Sequence, residues 1–206
     1  MADTPGSADS RFAAMSLAVN SAQTLDKLVE AVTENARQLV GAHQATTSLV
    51  VGGNWARAVH AVSLSDKYQA WREYDERPDG SGIYRLVCQL NRPIRLTRGA
   101  LEVHPAWRGF GEAASRHPPM RGWLAVPLKK ADGRNIGLIQ LSDKYEDEFT
   151  EKDEATLVRF AELASAAIAR VRRSARGERR RGLQDRQTGG SGATSAAWRP
   201  PGPNLR

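Results

Sequence analysis

Two apolar runs, Trp123-Leu-Ala-Val-Pro-Leu128 and Ile136-Gly-Leu-Ile-Gln-Leu141, flank a turn signal at Asp132-Gly133. Each is too short for a packed helix and carries too few polar residues to face water on one side. The pair is therefore predicted as a hairpin of central strands, covered on at least one face. Pro127 has no N–H, so it can sit only where the ladder needs no donor. Whatever else the chain does, it must supply cover for this hairpin.

The cover is legible on either side. Leu25, Leu28, Val29, Val32, Ala36, Leu39 and Val40 recur at spacings of three and four, with Thr24 placed as N-cap and Gly41 as the C-terminal stop. Residues 12–40 are predicted helical with a break near 20–24, and residues 1–11, small and polar, are predicted disordered. Ala45 to Val51 and Trp55 to Ser63 flank Gly52-Gly53-Asn54 and read as a first hairpin. Residues 66–75 and 83–90 read as short helices, Ile94 to Thr97 as a strand, and 98–121 as a long loop. Thr150 opens a last helix, with Asp153 completing a capping-box pattern. The fold class is α+β: an antiparallel sheet of five or six strands, N- and C-terminal helices on one face, short helices and loops on the other.

In the last helix, Leu157, Ala161, Ala164, Ile168 and Val171 form one stripe, with Phe160, Leu163 and Ala167 beside it. The pattern fits either a homodimer seam through the terminal helices or one wide buried face. We carry the homodimer as the expectation.

The net charge is +7, yet residues 1–169 hold 20 Lys and Arg against 21 Asp and Glu. Residues 170–181 hold seven Arg and one Glu, and 182–206 add three Arg and one Asp. The basicity belongs to a tail, so a nucleic-acid role rests on that tail alone. The tail, 172–206, is predicted disordered, Arg-rich and then rich in Gly, Ser and Pro. One cysteine, Cys88, excludes a disulfide framework and a multi-cysteine zinc site. No apolar run is long enough to span a bilayer, and the N-terminus lacks a secretory pattern, so a cytoplasmic protein is expected.

Several segments carry a family resemblance. Asn135 to Tyr145, Glu148 to Glu154 and the following helix resemble the C-terminal half of a GAF domain, of the kind found beside PAS domains in bacterial sensor histidine kinases. Trp71 to Asp75, Gly80 to Tyr84, Asn91-Arg-Pro93, His104 to Gly111 and Pro118 to Trp123 extend the resemblance over about 12–171. It implies a sensory or regulatory module of two-component signalling that binds a small molecule and relays through its terminal helices. A sensor kinase or response regulator would be the partner. Lys144, Phe149, Asp153 and Glu154 match part of a signature of cyclic-nucleotide-binding members, but Asp143 stands where Asn leads it. These four are expected to lock a structural corner.

Cys88 is followed by Gln89 rather than His, so no covalent bilin is expected, and no second thiol supports redox cycling. His43, His60, His104 and His117 are dispersed, which speaks against a metal site and makes haem a minor alternative. The cofactor is left unassigned. With no nucleophile and base in a recognisable pair, no enzymatic activity is expected. The segment Leu64-Ser-Asp-Lys-Tyr68 recurs at Leu141-Ser-Asp-Lys-Tyr145 without matching flanks, and it is assigned no function. In GAF domains the connections between hairpins enclose ligands, so Trp71, Tyr74, Tyr84, Trp107, Phe110 and Trp123 are the expected ligand-binding residues. Arg95 and Arg121 are expected there too, to complement an anionic group. Because the capped helix and both hairpins end before Arg172, truncation after Arg172 should leave the melting temperature within a few degrees in a thermal unfolding scan.

Overall fold

A computed structural model describes residues 5–51, 54–73, 82–107, 109 and 117–189. The chain divides into two compact units, Met1–Val171 and Arg172–Arg206. In the first unit, helices α1 (Pro5–Ser21) and α2 (Leu25–Val40) precede the hairpin of β1 (Ala42–Val51) and β2 (Asn54–Leu64). A 3₁₀ turn (Asp66–Trp71), α3 (Gly82–Leu90), β3 (Ile94–Leu96) and α4 (Arg98–Glu102) lead to β4 (Trp123–Lys129) and β5 (Asn135–Lys144). Helix α5 (Glu151–Gly189) begins in the first unit and ends in the second.

The five strands form one antiparallel sheet in the order β2-β1-β5-β4-β3. The second hairpin therefore supplies β5 at the centre, and β1 pairs with it as well as with β2. Side chains alternate across the sheet. Ala45, Leu49, Leu124, Val126, Ile139 and Leu141 point to the helices, where they meet Leu28, Val32 and Ala36 of α2 and Leu157, Phe160 and Ala164 of α5. The other face carries a smaller cluster in which Ile83, Val87 and Leu101 cover Trp123, Ala125 and Leu138.

Local chemistry sets the ends of these elements. The Thr24 hydroxyl accepts from the Lys27 N–H, and Gly41 closes α2 in the left-handed region at φ 75°. At Gly137 the strands β1 and β5 come so close that a Cβ would lie 2.0 Å from the Ser48 carbonyl oxygen, so only glycine fits.

The structure departs from the sequence reading in several places, among them the segment 98–121, expected to be a loop, which opens with the short helix α4. A helix is already formed at Pro5, within the segment expected to be disordered. Helix α5 runs past Arg172 to Gly189, because Arg, Gln and Glu propagate a helix well after the apolar stripe has stopped. The segment 66–75 gives a 3₁₀ turn, kinked at Tyr68, rather than an amphipathic helix. The stripe Leu157, Ala161, Ala164, Ile168 and Val171, from which the homodimer was expected, is buried within this one chain. The cause is α1, which lays Phe12, Met15 and Val19 on the core and sets the Phe12 ring edge-on to Phe160 at 6.4 Å. Arg170 ties the two helices by donating to the Asn20 carbonyl at 2.7 Å. One wide buried face accounts for both stripes.

Ala164→Glu should therefore act on folding itself. A carboxylate placed in this core should cost at least about 3 kcal/mol, read as a lower urea midpoint at unchanged protein concentration.

Candidate functional site

On the face away from the long helices, successive rungs of the sheet are polar in the middle. Gln44 and Thr46 of β1 lie beside Ser142 and Gln140 of β5, with Leu64 and Val62 of β2 on the far side. These six residues line a pocket together with His117, Pro118 and Met120, which cross over the sheet, and with Ala45 and Leu141. The space is about 330 Å³ including open solvent at its mouth, and its enclosed part is about 20 Å³, room for about one water molecule. The Gln44 amide donates to the Pro119 carbonyl at 2.7 Å and fixes the crossing segment over the strands.

Gln140 marks the border between this pocket and the apolar cluster. Its side-chain carbonyl accepts from the Trp123 indole N–H at 3.0 Å, and its amide donates to the Tyr84 hydroxyl at 2.7 Å. The Tyr84 and Trp123 rings meet edge to face at 6.4 Å. Ser142 donates to the Gly122 carbonyl at 2.9 Å and accepts from the Arg121 N–H at 3.1 Å, which pins the start of β4. Burial pushes the His117 imidazole down to about 4, against the opposing pull of the Pro118 carbonyl, so His117 is neutral near pH 7. Among the described residues no charged side chain lines the pocket.

A family profile described as the GAF domain matches residues 22–169, well over half of the chain. The chain belongs to the GAF domain family. Solved structures with the same fold include the GAF domain of a phosphoenolpyruvate-protein phosphotransferase from Coxiella burnetii, at 22% identity and TM-score 0.67, covering 84% of this chain and 99% of that one. The corresponding Acinetobacter domain matches at 16% identity and TM-score 0.62, covering 82% and 96%. A free methionine-R-sulfoxide reductase from Neisseria meningitidis, solved with its substrate, matches at 16% identity and TM-score 0.64, covering 84% and 95%. At these identities the likeness is one of fold.

Against this GAF domain's geometry, the expected ligand-binding residues separate. Tyr84, Trp107 and Trp123 gather in the apolar cluster, with Trp123 fully buried and its N–H already bound to Gln140. Trp71 lies edge-on to Tyr68 at 5.5 Å, outside the pocket lining. Arg95 sits on the helix-side face, between Ile94 and Leu96, and holds Glu154 at 3.1 Å and the Phe149 carbonyl at 3.3 Å. Arg121 is exposed beside the pocket, and its side chain is not part of the lining. Tyr74 and Phe110 lie outside the described residues. The pocket's polar residues Gln44, Thr46, Gln140 and Ser142 were missed, although their period-two placement in two strands was a readable signal.

The four corner residues do come together. Asp153 accepts from Lys144 at 2.5 Å, from the Thr150 N–H at 2.7 Å and from the Thr150 hydroxyl at 2.8 Å, while Phe149 is buried beneath. Arg95, not foreseen there, completes the corner through Glu154. The Cys88 thiol is half-buried, and burial pushes it up to about 11. Among the described residues no helix is long and apolar enough to cross a membrane, and no three His, Cys, Asp or Glu side chains group to hold a metal ion.

The corner gives a pH test. Burial opposes ionisation of Asp153, but the hydrogen bonds from Lys144 and Thr150 outweigh it and hold the carboxyl below its ordinary value. A depressed carboxylate stabilises the fold above its unfolded pKa, and that stabilisation is lost as pH falls through the depressed value. Asp153→Asn should cost about 1–2 kcal/mol near pH 7 in urea unfolding, with the gap to wild type closing below about pH 4.

Proposed function

We propose that this GAF domain is a cytoplasmic sensory module that binds a small, uncharged molecule on the polar part of its open sheet face and passes the event to its terminal helices. The observation that carries the reading is the row Gln44, Thr46, Gln140 and Ser142 in the middle of strands whose other faces are apolar. Gln44, Gln140 and Ser142 already bond to Pro119, to Trp123 and Tyr84, and to Gly122 and Arg121, so they hold the lining in a fixed shape beneath His117 and Met120. Among the described residues the lining is neutral: His117 is held uncharged, Arg95 lies on the other face with Glu154, and Arg121 is not part of the lining. A ligand with amide-like or hydroxyl groups on an apolar frame suits it better than an anion.

The relay follows from the same strands. β1 and β5 present Gln44, Thr46 and Gln140 to the pocket and Ala45, Ile139 and Leu141 to α2 and α5. A ligand that separates or closes these rungs acts on the helix packing through residues one position away. It shifts the population of helix arrangements only by its differential affinity for them. Resemblance to GAF modules of sensor kinases favours a two-component partner, either a kinase or a response regulator. The Cys88 thiol, protonated and half-buried, supports a binding role over a catalytic one.

Native mass spectrometry of protein purified from cells should show a retained small molecule. Thr46→Phe, which fills the pocket floor, should abolish the added mass while circular dichroism stays unchanged, whereas Cys88→Ser should keep it. Loss on Cys88→Ser with retention on Thr46→Phe would place the ligand on the thiol and overturn the assignment.

A further inference from the structure

We infer that the first described part of the second unit, Arg172–Gly189, is a docking helix for the phosphate backbone of double-stranded nucleic acid. The helix continues through this segment. At 3.6 residues per turn, Arg172, Arg173, Arg176 and Arg180 fall within an arc of about 100°, and Glu178 lies on the opposite side. Arg173, Arg176 and Arg180 are exposed, and Arg172 is half-buried. None of the four forms an ion pair among the described residues, in contrast to Arg37, Arg95 and Arg98 of the first unit, each of which holds a carboxylate. Among the described residues the cationic face is therefore uncompensated.

The row Arg172, Arg176, Arg180 places like charges at i, i+4 and i+8, which weakens a helix by some tenths of a kcal/mol per pair. Burial, and after it the neighbouring Arg176, pull the Arg172 guanidinium below its ordinary value. An anionic lattice of matching pitch removes that cost and firms the helix. Successive arginines on this row are about 6 Å apart along the axis, a spacing that lets each reach a different phosphate. Every basic residue from 172 onward is Arg, with no Lys, which suits bidentate phosphate binding.

The same segment argues against other polyanions. Residues 172–189 contain no aromatic side chain on which an unpaired base would stack. They contain only Ala175 and Leu183 as apolar residues, far short of the apolar face that seats a helix in a lipid surface. A duplex read through its backbone remains.

The test uses the full chain and a labelled DNA duplex of about 20 base pairs, followed by fluorescence anisotropy against salt. With about four phosphates engaged, affinity should fall on the order of a hundredfold between about 50 and about 200 mM salt. Arg176→Gln with Arg180→Gln keeps helix propensity nearly constant and should flatten the log–log salt slope by about two. Arg181→Gln with Arg199→Gln removes the same charge, one from the opposite side of the helix and one from outside Arg172–Gly189, and should flatten it less than half as much. Unchanged melting temperatures would establish that both variants fold. Equal effects of the two pairs would show diffuse tail charge and overturn the docking face. So would absence of duplex binding at low salt, tighter binding to the corresponding single strand, or preference for phosphatidylserine-containing vesicles.

Discussion

The pairing of β1 with β5 is the constraint on which the rest of the first unit depends. In this register Gln44, Thr46, Gln140 and Ser142 share one face of the sheet, while Ala45, Thr47, Ile139 and Leu141 share the other. A slip of one residue would turn Ala45, Leu49, Ile139 and Leu141 away from the helices and bury Gln44 and Gln140 among them. Gly137 guards the register at one end, because no other residue tolerates the approach of Ser48. The core and the pocket are thus two faces of one decision.

The helices accept the apolar side without remainder. Helix α5 is buried along two stripes because α1 lies on the second of them, and the Arg170 bond to Asn20 holds the ends of that pair. The corner of Lys144, Thr150, Asp153, Glu154 and Arg95 then fixes where α5 departs from β5. Such an arrangement joins the sheet firmly to the first turns of α5.

Much of this was legible in the sequence, and the parts that were not have physical reasons. The second hairpin, α2 with its caps and the capping box of α5 follow from local patterns that tertiary packing did not overrule. Pocket residues were hidden because Gln44 and Thr46 sit among small and β-branched residues, and strand propensity drew attention away from their alternation. Trp123 invited a binding role by its size, but an indole N–H in a dry cluster needs an acceptor, and Gln140 on the neighbouring strand supplies one. For Arg95, the neighbours Ile94 and Leu96 already held the answer: both enter the apolar cluster, so the residue between them must leave by the other face.

The repeated pentapeptide, Leu64 to Tyr68 and Leu141 to Tyr145, has its explanation in the sheet. Both copies end strands that flank the start of β1, where Leu64 and Ser142 each pair with Gln44. Lys67 and Tyr68 of the first copy each bind Asp143 of the second at 2.6 Å, and His43 lies between the two tyrosine rings. Burial and the Asp143 carboxylate push the Tyr68 hydroxyl up to about 12, so it stays a donor. These ties join segments 75 and 76 residues apart. Contacts of such sequence separation form only after the intervening chain has been organised, which makes the sheet a high-contact-order structure that folds slowly and as a unit. The first hairpin made alone during synthesis would have its Tyr68 hydroxyl and Lys67 ammonium waiting for an acceptor not yet translated.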